Sequence, residues 1–236
     1  MKFEFLIGDI TDVTADAVVL PANKNLKEGS GASRAIFEKA GRKKLQSACD
    51  KIGHCDVGLA VPTPAYDLNA DYVIHACVPK WIDGKSNEYE LLSSAYYSAL
   101  KIADLMNCKT IAFPLLSSGN NGFDISLAYK IATESISAFE STNLTNVCIV
   151  VYDENTINYV QSQVGKLLFL PKLIKPKIKV AKDVAEKAIK KAIVFFKEPK
   201  NAKKALDIGI EIFKFIKVPE KETLKLLINI KNILNK

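Results

Sequence analysis

The strongest constraint on this chain is a junction that occurs twice. "DAVVLPANKNLKEGSGASRAIFEKAG" begins as an apolar strand-like run ended by Pro21 and passes through a polar, glycine-bearing loop. It then becomes a helical stretch with Ala32, Ile36 and Ala40 on one face and Gly41 as a stop. The same order returns at "KTIAFPLLSSGNNGFD", where a strand-like run and a glycine-bearing loop lead into a helix pattern over residues 124–139. "FEFLIGD", "DYVIHACV" and "NVCIVVYD" read as further strands, and "GLAVPTPAY" as a short extended piece. "EYELLSSAYYSALKIADLMN" sets Leu91, Leu92, Ala95, Ala99, Ile102 and Ala103 at helical spacing. Strands alternating with amphipathic helices predict a three-layer α/β/α domain with a mixed or mostly parallel sheet. In such folds ligands collect beyond the C-terminal ends of strands, so the loops after "VVL" and "IAFPLL" form the candidate site.

Charge divides the 236 residues into two parts. Residues 1–165 carry 14 Lys plus Arg against 19 Asp plus Glu, a net −5, whereas residues 166–236 carry 19 against 7, a net +12. That asymmetry predicts a folded domain over 1–165 and a lysine-rich helical extension over 166–236. "VAKDVAEKAIKKAIVFF", "NAKKALDIGIEIFKFI" and "EKETLKLLINIKNIL" are its amphipathic patterns. Three readings of the extension stay open: packing within the chain, a protein partner or oligomer, and contact with nucleic acid or an anionic membrane. No arginine follows Arg42, so the extension offers phosphate a point charge without a planar fork.

Asp9 breaks the first apolar run, which therefore reads as a strand and not a leader. No window approaches the ~20 apolar residues of a membrane helix, and a cytoplasmic protein without a transmembrane segment is expected. The five cysteines are scattered without a CxxC pair, and His75 sits inside the apolar "YVIHAC". Buried thiols and a core histidine follow, with neither a disulfide scaffold nor a metal site.

Gly29 and Gly31 let the backbone approach a ligand, and the helix that follows aims its free amides at the loop. In the second loop Gly119 and Gly122 flank two asparagines, and Asp124 is placed to cap the next helix. Two such loops can grip one diphosphate through backbone donors alone. The chain lacks GxxxxGK[ST], which argues against a P-loop, and the first loop lacks the GxGxxG spacing of dinucleotide folds. Asp9, directly after Gly8, is either an acceptor for an exocyclic amine or a turn acceptor.

"GDIT", "DAVVLPAN", the glycine loop opening "AIFEKAG", "YVIHA" and "IAFPLLSSG" with its following "GF" together resemble a macrodomain, the family that binds ADP-ribose. The resemblance covers roughly residues 1–160. It implies that Asp9 reads the adenine amine with the Ile10 amide beside it, and that Asn23 contacts the distal ribose. It also implies one diphosphate wall from Gly29, Ser30, Gly31 and Ala32, and another from Ser117, Ser118, Gly119, Asn120, Asn121 and Gly122. Phe123 would shape the distal-ribose end. Tyr152 is placed as an adenine neighbour or as a plain edge aromatic.

Several residues depart from the family pattern. Leu20 stands where many members have asparagine, Asn121 where an aromatic is common, and Asp124 where proline is common. Hydrolytic members often carry an aspartate ten residues after the asparagine matched by Asn23, and here that residue is Ser33. A neutral serine is not a base near pH 7 but can bond ribose or water. Another branch attacks the distal ribose with a lysine, for which Lys24, Lys27 and Lys80 are nearby candidates that read equally as solvent-facing charges.

The resemblance thus implies binding of ADP-ribose or of ADP-ribosylated substrates, with ADP-ribose as ligand or substrate and no separate cofactor. Hydrolysis of an ADP-ribosyl linkage or of an O-acetyl-ADP-ribose ester stays open, with Asn23 and Ser33 as its candidate catalytic residues. The alternative is a non-catalytic reader whose basic extension recruits a protein, nucleic acid or membrane.

Overall fold

A computed structural model describes residues 1–156, 158, 159 and 162. The extension expected over 166–236, its three helices and the boundary at 165 lie outside those residues. The described chain runs β1 (Lys2–Ile7), a short 3-10 turn (Ile10–Asp12), β2 (Ala17–Ala22), α1 (Ala32–Ala40), α2 (Arg42–Ile52), β3 (Ala60–Pro64) and β4 (Tyr72–Cys77). It continues with α3 (Glu88–Leu105), β5 (Thr110–Pro114), α4 (Ile125–Ser137) and β6 (Asn146–Val151). The strands form one sheet in the order β1-β6-β5-β2-β4-β3. All neighbours are parallel except β3, which runs antiparallel to β4, so the sheet is mixed.

Neighbouring residues on β5 show the layering. Ala112 belongs to the core shared by Val18, Leu20, Ile36, Phe37, Leu45 and Cys49, on the side of α1 and α2. Phe113 points the other way and packs on Tyr96 of α3, ring centres 5.2 Å apart. The sheet is therefore covered on both faces, as near-continuous apolar strands require. Leu20, the departure from the family's asparagine, is buried in the first of these cores. The helix α2 adds to the expected elements. Leu45, Ala48, Cys49 and Ile52 stand at helical spacing and are all buried. Gly41 stops α1, and Asp124 caps α4 by accepting from the N–H groups of Ser126 and Leu127.

His75 lies fully buried on β4, its Nε2 2.9 Å from the Thr63 hydroxyl and its ring 3.8 Å from the Cys49 sulfur. Burial lowers its pKa to about 3, and burial first of all lifts the Cys49 thiol to about 12, so both are neutral core groups. All five cysteines are free and buried. Among the described residues no group of three or more His, Cys, Asp or Glu side chains gathers to hold a metal ion. Nor is any helix among them long and apolar enough to cross a membrane.

One break in the sheet sets up the site. β2 pairs with β4 along its whole length but with β5 only at Ala17↔Ile111 and Val18↔Ala112. Beyond Val18 the two strands part. Pro21 and Pro114 stand on either side of the parting and have no N–H to leave unpaired there. The loops after β2 and β5 are left facing each other across a gap.

Candidate functional site

The gap opens into a cleft of about 780 Å³ at the C-terminal ends of the parallel strands, where the connections of the sheet change direction. Ile10, Asn23, Gly29, Ser30, Gly31, Ala32 and Ser33 line it, as do Ser117, Ser118, Gly119, Asn120, Asn121 and Tyr152. Gly8, Lys24 and Lys80 also contribute. Four sequence-selected residues are absent from this lining: Asp9, Lys27, Gly122 and Phe123. Asp9 stands one step behind it, next to Gly8 and Ile10. Gly122 turns the second loop by donating to the Gly119 carbonyl. Phe123 is buried behind that loop against Trp81, so it supports the wall from outside the cleft.

Side chains build the first wall by fixing its backbone. Asn23 accepts from the N–H groups of Asn25 and Lys27 with Oδ1 and donates to the Lys27 carbonyl with Nδ2 at 2.7 Å. One amide hydrogen is left for a ligand, and no basic atom is. Leu26, at φ +54°, is buried beneath the loop as its anchor. Ser33 is buried and accepts the Gly29 N–H at 3.0 Å, which ties α1 back to the loop. Its oxygen shapes the wall, and its hydroxyl hydrogen and one lone pair are left over. Glu28 pairs with Arg42, and Lys27 with Asp50, so both turn away from the cleft. Gly31, just before α1, leaves the unpaired amides of the first helical turn facing the opening.

The second wall follows the same logic. Ser117 donates to the Pro79 carbonyl and Ser118 to the Leu115 carbonyl, while Phe123 N–H donates to the Ser117 carbonyl. The hydroxyls hold the loop, and the backbone between them faces the cleft. Asn120 Nδ2 donates to Ser30 Oγ across 2.6 Å, joining residues 90 positions apart over the middle of the groove.

At the β1/β6 end, Asp9 Oδ1 accepts the N–H and hydroxyl of Thr11, and Oδ2 accepts the Tyr152 hydroxyl at 3.1 Å. Burial alone would raise the Asp9 pKa, but these bonds prevail and hold it below the ordinary carboxylate value. Asp9 is thus a charged acceptor whose outer oxygen is covered by an exposed tyrosine. Across the whole lining the formal charges are Lys24 and Lys80, with no carboxylate among the described residues.

The macro domain family model matches residues 19–132. A macro domain-containing protein of Caldanaerobacter subterraneus is 40% identical over 157 residues, spanning 65% of this chain and 90% of that one. The chain belongs to the macro domain family. An O-acetyl-ADP-ribose deacetylase of Pantoea vagans is 41% identical over 158 residues, 64% of this chain and 92% of its own. Among solved structures, a mutant Oceanobacillus iheyensis macrodomain with ADPR matches with a TM-score of 0.63 and 27% identity, covering 70% of this chain and 92% of that one. Sequence reading missed the supports behind the cleft, above all Trp81, whose backbone N–H donates to the Asn121 carbonyl at 2.7 Å.

Proposed function

We propose that this macro domain binds ADP-ribose, free or attached to a macromolecule. The observation that carries the reading is the cleft at the β2/β5 parting. Two backbone-lined walls face one another there, with two lysines and no carboxylate in the lining. A diphosphate fits that chemistry. The unpaired amides at the start of α1 meet it from one side and the loop 117–122 meets it from the other. The adenine would lie toward Asp9 and Tyr152, and the distal ribose toward Asn23 on the β2/β4 side. The similarity to the Oceanobacillus iheyensis macrodomain with ADPR supports the ligand class.

Adenine reading by Asp9 requires the Tyr152 hydroxyl to yield Oδ2 to the exocyclic amine. Asp9→Asn keeps an acceptor for Thr11 but removes the charge. Its affinity for ADP-ribose should fall about tenfold, the lower range for a charged hydrogen bond. Calorimetry with AMP should show the same loss, because the change is confined to the adenine end. An unaltered AMP affinity would remove Asp9 from adenine recognition.

The 41%-identical deacetylase favours a second reading, cleavage of an O-acetyl-ADP-ribose ester. The roles of Asn23 and Ser33 here limit how that can occur. Both side chains use their oxygen to hold the first wall, and a neutral amide or hydroxyl is not a base near pH 7, so neither takes a proton from water. Ligand phosphate would instead orient the water, while Asn23 and Ser33 keep the ribose in register through their remaining hydrogens. The test is calorimetry with ADP-ribose, followed by incubation with O-acetyl-ADP-ribose and with acidic-, serine- and nucleic-acid-linked ADP-ribose. Release from one linkage names the substrate, binding without release makes the protein a reader, and absence of ADP-ribose binding rejects the proposal.

A further inference from the structure

A buried acid outside the cleft organises one of its walls. Glu88 opens α3 and is 1% exposed. Its carboxylate folds back over the preceding loop instead of facing solvent. Oε1 accepts the backbone N–H groups of Ile82, Asp83 and Gly84 at 3.1, 2.9 and 3.0 Å, and Oε2 accepts that of Ser86 at 2.7 Å. Gly84 makes this wrap possible. It sits at φ +74°, and a Cβ there would lie 3.0 Å from the Trp81 ring.

The loop so gathered is clipped to the second wall of the cleft. Pro79 O accepts from Ser117 Oγ, Trp81 N–H donates to Asn121 O, and the Trp81 ring meets Phe123 edge-on with centres 5.2 Å apart. Lys80, between these clips, lines the cleft. We propose that Glu88 is a positioning residue of the cleft: by fixing residues 82–86 it seats Trp81, and Trp81 holds the Asn121–Phe123 part of the second wall in its binding shape. The inference rests on the ADP-ribose reading above for the ligand it names. The stretch it supports, Asn121–Phe123, is held from the loop after β4, which is separated from β1 and Asp9 by three strands, so the effect should fall on the diphosphate and distal ribose and spare the adenine nucleoside.

The test uses the full chain and three variants. Glu88→Gln loses the charge and turns an N–H toward the Ser86 amide. Glu88→Asp keeps the charge but is too short to reach all four amides. Asp104→Asn is a matched control, because Asp104 is buried at the opposite end of the same helix and organises residues 141–144 far from the strand C-termini. Trp81 is the chain's one tryptophan, so its fluorescence reports on this loop alone. Glu88→Gln should shift Trp81 emission to the red, raise acrylamide quenching at least twofold and weaken ADP-ribose binding about tenfold while AMP affinity stays within twofold. Glu88→Asp should do the same to a lesser degree and covers the case in which the glutamine variant fails to fold. Asp104→Asn should lower thermal stability yet leave Trp81 emission and the ADP-ribose-to-AMP ratio unchanged. The positioning role is overturned if folded Glu88 variants keep wild-type Trp81 emission and ADP-ribose affinity, or if Asp104→Asn moves the ratio equally. Failure of the wild-type chain to bind either nucleotide overturns the ligand reading instead, and the Trp81 comparison still decides whether Glu88 holds the wall.

Discussion

Gly31→Glu and Gly119→Glu should each abolish ADP-ribose binding, and only the first should also weaken the fold. Both glycines line the cleft, on opposite walls, and an added Cβ at either meets nothing within 4 Å. A glutamate at either position therefore enters open space, bringing bulk and a negative charge to a groove suited to a diphosphate. A loss of at least ~100-fold is expected, equivalent to about 2.7 kcal/mol. The two differ in backbone. Gly31 sits at φ +56°, ψ −133°, a region that only glycine adopts readily, so any side chain there costs a further ~1–3 kcal/mol of stability. Gly119 is outside the positive-φ set, and Gly119→Glu should unfold at the wild-type temperature. Calorimetry and thermal denaturation on the same samples separate the two effects. A folded Gly119→Glu protein with undiminished ADP-ribose affinity would remove the second loop from the site.

The contrast between those glycines also shows what the sequence could and could not reveal. Strand-loop-helix alternation was readable because each element carries its own period, and local punctuation was readable at Gly41 and Asp124. Positions on the two walls followed from the loops' place after the strands. Helix α2 escaped although its buried residues keep helical spacing, because lysines and polar residues fill the positions between them. What no local pattern carries is the use of each side chain. Asn23 and Ser33 look like ligand contacts and are occupied in shaping the first loop. Ser30 and Asn120 meet only because β2 and β5 are neighbours in the sheet. Phe123 looked like a cleft residue and lies behind it, since Trp81 arrives from a loop more than thirty-five positions earlier. Glu88 reads as an ordinary acid at a helix start until the loop before it is seen folded around its carboxylate.

That arrangement, with its counterpart at the far end of α3, makes this domain sensitive to acid. Burial acts to raise the Glu88 pKa, but the backbone amides of residues 82–84 overcome it and hold the carboxyl at about 2, against an ordinary value of 4.5. Asp104 is likewise held below its ordinary value: burial pushes up, and the amides of Asn143, Leu144 and Thr142 with the Ser141 hydroxyl pull further down. A carboxyl whose pKa is lower in the folded state binds fewer protons there than in the unfolded chain. Its stabilisation is complete above the unfolded value and is lost as pH falls through the folded one. The stability of the folded domain should therefore be flat from neutral pH to about 5 and fall steeply between about 4.5 and 2. Asp104→Ala should remove the Asp104 share of that dependence and leave the Glu88 share in place. At pH 7 it leaves the amides of Thr142, Asn143 and Leu144 without their shared acceptor, a loss on the order of 3 kcal/mol. As pH falls from the unfolded carboxylate value toward the lower folded one, the wild-type protein loses this stabilisation and the gap between the two proteins should narrow. Urea denaturation at pH 7 and pH 3 measures both differences. An Asp104→Ala penalty equal at the two values would mean that the side chain stabilises the 141–144 loop through packing and not through its charge.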